Sequence, residues 1–191
     1  MNTTNLFVEL IVIGVGAFAW LLMLALTLSG VDLPLLQTLV SSPVAAIPAL
    51  AVIYLLGIIT DRLADGLFHA IRMDSKHQRQ YPGGRDQYFR DRAFVLAHSD
   101  QFAQHYEYSR SRQRICRGWT LNSLALLISA LALVTVRLSG LVDVSLVITL
   151  CGVVLVPLAL ACWWSWEALS DSQLQQIHSQ ADVLRDRQTS A

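Results

Sequence analysis

Residues 110–136 read RSRQRICRGWTLNSLALLISALALVTV, four arginines within eight positions followed by nineteen residues without a charge. A helix needs about 20 apolar residues to cross the roughly 30 Å hydrocarbon core of a bilayer. A basic run set directly against such a stretch marks the cytoplasmic end of a span. Three further uncharged stretches lie at 10–31, 33–60 and 144–166, with 22, 28 and 23 residues. In a chain of 191 residues the polar remainder is too short to wrap all four as buried soluble helices. The sequence therefore predicts an all-α polytopic membrane protein with four transmembrane helices.

Composition points the same way: 54% of the residues are hydrophobic and 15% charged, against about 25% charged in an average soluble domain. The formal net charge is zero, so there is no global basic field of the kind that attracts nucleic acid. The charges are nevertheless unevenly placed. Segment 61–117 holds 11 of the 14 Lys and Arg, the tail adds Arg185 and Arg187, and Arg137 stands alone on the other side. Basic residues are retained in the cytoplasm, which predicts that both termini and the middle segment are cytoplasmic. The outer connections are short and no eukaryotic sorting signal is recognisable, so a bacterial inner membrane is the expected location. Residues 1–9 carry no Lys or Arg, and the first stretch is expected to be a retained span rather than a signal peptide.

The expected organisation is a transmembrane hairpin at 1–60, a cytoplasmic helical segment at 61–117, a second hairpin at 118–166 and a C-terminal cytoplasmic helix at 167–191. Leu63, Leu67, Ala70 and Ile71 fall at helical spacing and read as an amphipathic face. Tyr81-Pro82-Gly83-Gly84 should break that helix, and Ser99 or Asp100 can cap a later one that runs into the third span. Leu174, Ile177, Ala181 and Leu184 repeat the 3–4 spacing in the tail. These stretches predict a small cytoplasmic helical bundle. Trp119, Trp163, Trp164 and Trp166 are expected to form an aromatic belt at the cytoplasmic interface.

Candidate functional residues follow from the cost of polar groups near hydrocarbon. Glu9 abuts the first span, and it either lines a pathway or pairs with Arg62 or Arg117. Gln37, Ser41, Ser42, Pro43 and Pro48 put polar groups and helix breakers into the second span, so they join Glu9 as pore or gate candidates. Gly14, Gly16, Asn122 and Ser123 suit helix packing. Arg110, Arg112, Arg114 and Arg117 form the basic run, a candidate surface for a ligand, lipid headgroups or a protein partner. Asp61, Arg62 and Asp65 can cluster with Arg117 or with Glu167 and Asp171 of the tail.

Catalytic signals are weak. Three cysteines, Cys116, Cys151 and Cys162, form no CxxC pair, and HExxH and GxSxG are missing. No cofactor, no metal and no enzyme activity are expected. Two R-x(4 to 6)-H strings, Arg72 to His77 and Arg92 to His98, resemble the catalytic element of HEPN-type ribonucleases in spacing alone; Met73 and Ala93 replace the polar residue that follows the arginine there. The leading expectation is a homo-oligomer that forms or gates a small channel, or acts as a membrane-permeabilising effector, under control of its cytoplasmic bundle. The alternative is a membrane scaffold that recruits or regulates a cytosolic partner, a layout broadly shared by small helical membrane proteins of bacterial defence systems. A transport or lipid-modifying enzyme ranks third, because polar groups within the spans are scarce.

Overall fold

A computed structural model describes residues 3–29, 43–98, 100–140 and 142–189. Every regular element among them is helical: α1 (Thr3–Ser29), α2 (Pro43–Phe68), α3 (Asp74–Gln80), α4 (Gly84–His98), α5 (Asp100–Leu133) and α6 (Val144–Thr189). π-helical turns at His69–Met73 and Val134–Leu138 continue α2 into α3 and close the end of α5. Four helices are long and apolar enough to cross a membrane, over Leu6–Ser29, Ala45–Arg72, Phe102–Leu138 and Val144–Arg187. Gln37, Ser41 and Ser42 lie outside the described residues, as does the start of the stretch expected at 33–60. Pro43 opens α2, where its missing N–H has no intrahelical partner to lose. Pro48 and Pro157 fall inside α2 and α6, and both helices run on past them.

The 34 residues of α5 and 46 of α6 correspond to about 51 and 69 Å of helix. Both therefore outrun a hydrocarbon core of roughly 30 Å, and each has an apolar half and a polar half. In the apolar half α1 packs against α2 and α5, and α5 against α6.

Glycine sets the closest of these approaches. A Cβ on Gly14 would lie 1.9 Å from the Ile53 carbonyl oxygen, and one on Gly57 would lie 1.9 Å from that of Leu10. On the other side of α1, a Cβ on Gly118 would meet Ile13 Cγ2 at 2.8 Å. Only bare backbone lets α1 lie this near its neighbours. Asn122, fully buried, donates from Nδ2 to the Ile13 carbonyl at 2.8 Å and accepts from Trp20 Nε1 at 3.3 Å. Gly16 makes room for it, since a Cβ there would reach Asn122 Nδ2 at 2.6 Å. The buried Ser123 hydroxyl donates to the Trp119 carbonyl of its own helix at 2.7 Å.

The polar half has a separate core of Tyr81, Tyr88, Tyr106, Leu174 and Ile177, with Leu96 and Phe102 against it. The 3–4 spacing of the tail thus marks the inward face of α6. Gly84, at φ +61°, completes the turn that reverses the chain between α3 and α4, and its N–H donates to the Tyr81 carbonyl at 2.9 Å. Asp91 of α4 is fully buried and pairs with Arg185, which ties α4 to the end of α6.

Two expectations need correction. Leu63 and Ile71 are 62% and 52% exposed, and Leu67 and Ala70 are exposed too; the inward face of α2 is Thr60, Asp61, Ala64 and Phe68. Nor do all the tryptophans anchor outward. Trp164 is 77% exposed, whereas Trp166 is 1% exposed and packs edge-on to Phe68 at 4.7 Å between ring centroids.

Gly57→Ala should lower the thermal midpoint of the detergent-solubilised protein, because its Cβ meets backbone that cannot yield. Gly66→Ala, which meets nothing within 4 Å, should raise it slightly by the helix preference for alanine, about 0.5–1 kcal/mol. Equal effects at the two sites would contradict the glycine contact. Burial pushes the phenols of Tyr81 and Tyr88 above their ordinary value of 10.0, with Asp91 and Asp182 adding to Tyr81 and Tyr106 adding to Tyr88. Folding therefore favours the neutral phenols; their contribution is complete below pH 10 and is lost as the pH rises further. Circular dichroism under alkaline titration should show the polar half loosening only above about pH 10.

Candidate functional site

Where the uncharged stretches end, the chain gathers buried Glu9 and Asp61 with their arginine partners. Glu9 of α1 is 6% exposed, and its Oε2 lies 3.8 Å from Arg114 Nη1 of α5. One turn further along α5, Arg117 pairs with two carboxylates of α2: its Nη2 lies 3.6 Å from Asp61 Oδ1, and its Nη1 binds Asp65. Three helices therefore meet at two guanidinium groups. The spacing explains the pattern, since residues four apart on α2 share a face and both carboxylates can address one arginine. Glu9 Oε2, Asp61 Oδ1 and Arg117 Nε are buried and make no hydrogen bond. Electrostatic attraction without full hydrogen bonding makes such a junction dependent on every partner.

The sequence left Arg117 and the tail acids as rival partners for the cluster of Asp61, Arg62 and Asp65; the structure gives both aspartates to Arg117. Glu167 and Asp171 engage a different set. Arg72 Nη2 lies 3.1 Å from Glu167 Oε1. The Lys76 ammonium contacts Asp171 Oδ1 at 2.9 Å, donates to the Glu167 carbonyl at 3.1 Å and sits 5.2 Å from the centre of the Trp166 ring. Glu9 meets Arg114 rather than Arg62 or Arg117. Lys76 and Trp166 went unrecognised as a joint between α3 and α6. That Lys76 is the sole lysine of the chain was the available signal.

Beside the junction, between α2, α4 and α5, lies a cavity of about 190 Å³. Arg62, Arg85, Arg92, Arg110, Arg114 and Arg117 line it, against two carboxylates, Asp61 and Asp65. Tyr88, Tyr106, Gln113 and Gln173 add neutral donors and acceptors. Gln113 Nε2 donates to Gln173 Oε1 at 2.6 Å, closing the side toward α6. Arg92 is held 5.0 Å from the centre of the Tyr106 ring, and Arg85 lies 5.4 Å from that of Phe89. Arg112 of the basic run is not in the lining; it is exposed, 5.4 Å from the Tyr108 ring centre.

The remaining candidates are placed apart from this site. Pro48 is exposed on α2; in the apolar half Gly14 meets α2, Gly16 and Asn122 join α1 to α5, and the Ser123 hydroxyl bonds within α5. Of the two R-to-H strings, Arg72 is taken up by Glu167, and His98 Nδ1 lies against the Phe94 carbonyl at 2.8 Å. Among the described residues no three His, Cys, Asp or Glu side chains are grouped to hold a metal ion. The arrangement is built to bind charge and to couple helices. Comparison of the chain with protein-family models, with curated proteins and with solved structures finds no match.

Removing one partner of a buried ion pair costs about 3–5 kcal/mol, since the other is left uncompensated. Arg117→Met should therefore destabilise the protein strongly in thermal unfolding. Adding Asp61→Asn and Asp65→Asn to it should recover a large part of the loss. A triple variant no more stable than Arg117→Met would show that the pairing is not what holds α2 to α5.

Proposed function

We propose that the chain is a homo-oligomeric effector of a bacterial inner membrane, with both termini and the polar helical half in the cytoplasm. The polar half senses, and the apolar helices form or gate a permeation pathway between protomers. The observation that carries this reading is the junction of Glu9, Asp61 and Asp65 with Arg114 and Arg117, because it ties α1 and α2 to the one level of α5 where polar and apolar halves meet. A displacement in the polar half reaches the membrane through helices that do not break, as α5 and α6 pass from one half to the other without interruption.

The asymmetry of Lys and Arg supports the orientation. A pathway between protomers suits a subunit whose glycine contacts and Asn122 fill the space around α1. The apolar half of α6 leaves Val153, Val154 and Leu160 exposed, a surface that either lipid or a second subunit can cover. Glu9 then acts within one subunit, setting the depth of α1, rather than as a ring of carboxylates. The scaffold alternative draws on Phe89 and Tyr108, exposed beside Arg85 and Arg112, since aromatic residues and arginine are enriched where proteins meet.

Ion flux from proteoliposomes tests the reading. Glu9→Gln and Asp65→Asn, which loosen the junction without emptying it, should change flux by about tenfold or more, the effect of roughly 1.4 kcal/mol on a gating equilibrium. Wild-type and variant vesicles that are all tight, with a monomeric mass in nanodiscs, would remove the effector reading. A cytosolic protein copurifying in stoichiometric amount, lost on Arg85→Glu with Arg112→Glu, would put the scaffold in its place.

A further inference from the structure

Charge is unevenly compensated along the wall of the arginine cavity. Arg117 and Arg114, at its inner end, have Asp61, Asp65 and Glu9 as counter-charges. Among the described residues no carboxylate pairs with Arg62, Arg85, Arg92 or Arg110. Six arginines in the lining thus answer to three carboxylates, a formal excess of three positive charges. Like charges collected in one concavity repel one another, which is unfavourable unless an anion joins them.

The geometry suits a phosphate group. Guanidinium forks match phosphate oxygens in pairs, and Arg92 is already positioned by stacking on Tyr106. Tyr88, kept neutral by burial and by its hydrogen bond with Tyr106, adds no negative charge to the same lining. At about 190 Å³ the space is below the roughly 300–1,000 Å³ of pockets that enclose drug-sized ligands, so it holds a phosphate moiety rather than a whole dinucleotide. Depth matters as well. Arg114 and Arg117 precede the uncharged stretch at 118–136, and the exposed apolar stripe of α2 continues past Arg62 through Leu63, Leu67 and Ile71. The cavity therefore lies where a phospholipid headgroup and a soluble phosphate can both arrive.

We propose that this cavity is a binding site for a phosphate-bearing anion, with Arg92 and Arg110 as the residues that grip it. The site needs no permeation pathway, so its test is separate from that of the effector reading. The full chain is placed in phosphatidylcholine nanodiscs and its thermal midpoint is followed with inorganic pyrophosphate. In parallel, nanodiscs containing phosphatidic acid are analysed by native mass spectrometry for retained lipid. Arg92→Gln with Arg110→Gln removes two unpaired charges from the cavity, and Arg79→Gln with Arg187→Gln removes two elsewhere.

Stabilisation by pyrophosphate that becomes roughly tenfold or more weaker in half-saturation for the cavity pair, and is unchanged for the control pair, supports a soluble phosphate ligand. Retention of phosphatidic acid that is lost in the cavity pair alone supports a headgroup. Neither probe acting, or both pairs of substitutions weakening binding equally, overturns the proposal. Should the glutamine pair fail to fold, Arg92→Lys with Arg110→Lys keeps the charge but not the fork, and it must still bind more weakly than wild type.

Discussion

A guanidinium placed one residue before nineteen uncharged ones must find counter-charge inside the protein, and the way Arg117 meets that demand fixes the register of the bundle. Asp61 and Asp65 answer it from α2, which sets how far α2 slides along α5. Glu9 answers Arg114 and sets α1 in the same way. Hydrophobic burial is non-directional, and between helices in lipid it supplies no driving force at all. Register must therefore come from directional contacts: the charge pairs at one end, and the Gly14–Gly57 approach and Asn122 in the apolar half.

That division of labour explains which parts of the fold were legible in the sequence. The four apolar helices follow from the length of uncharged runs, a property that context scarcely alters. The reversal at Tyr81-Pro82-Gly83-Gly84 is equally local, and the structure ends α3 and begins α4 around it. Burial was harder to read. In the tail, the 3–4 pattern of Leu174, Ile177 and Ala181 marks a buried face. The same pattern at Leu63, Leu67 and Ile71 marks the surface of α2 and of the π-helical turn that follows it. Periodicity reports that a face is apolar and is silent on whether protein or lipid covers it. Trp164 and Trp166 show the same ambiguity two residues apart: both are amphipathic rings at the end of an uncharged run, and only the neighbouring Phe68 and Lys76 draw one of them inward.

The candidate site was half legible for a related reason. Asp61, Asp65, Arg114 and Arg117 stand out as charges beside hydrocarbon, a cost that has to be offset somewhere. Their pairing depends on rotation of one helix against another, which spacing along the chain does not contain. Arg85 and Arg92 belong to a separate helix and join the cavity only because the glycine turn folds α4 back toward α5. Arg112 lies within the basic run yet on the far side of α5, since positions two apart on a helix do not share a face.

The junction and the cavity share Arg114 and Arg117, and this is the physical route by which one can act on the other. An anion in the proposed site would share the lining with Arg114 and Arg117, so it would compete with Glu9, Asp61 and Asp65 for the same guanidinium groups. Any gain in ligand attraction at Arg114 weakens its hold on Glu9, the longer of the contacts at 3.8 Å. A ligand shifts an equilibrium only by its difference in affinity for the two states. For an anion in the proposed site that difference would arise from shared arginines rather than from a distant relay. α1 is the helix most exposed to the exchange, because at this level it is held by Glu9, whereas α2 has two carboxylates on Arg117. The glycine contacts and Asn122 still grip α1 in the apolar half, so loss of the Glu9 pair would tilt the helix about that fixed point rather than release it.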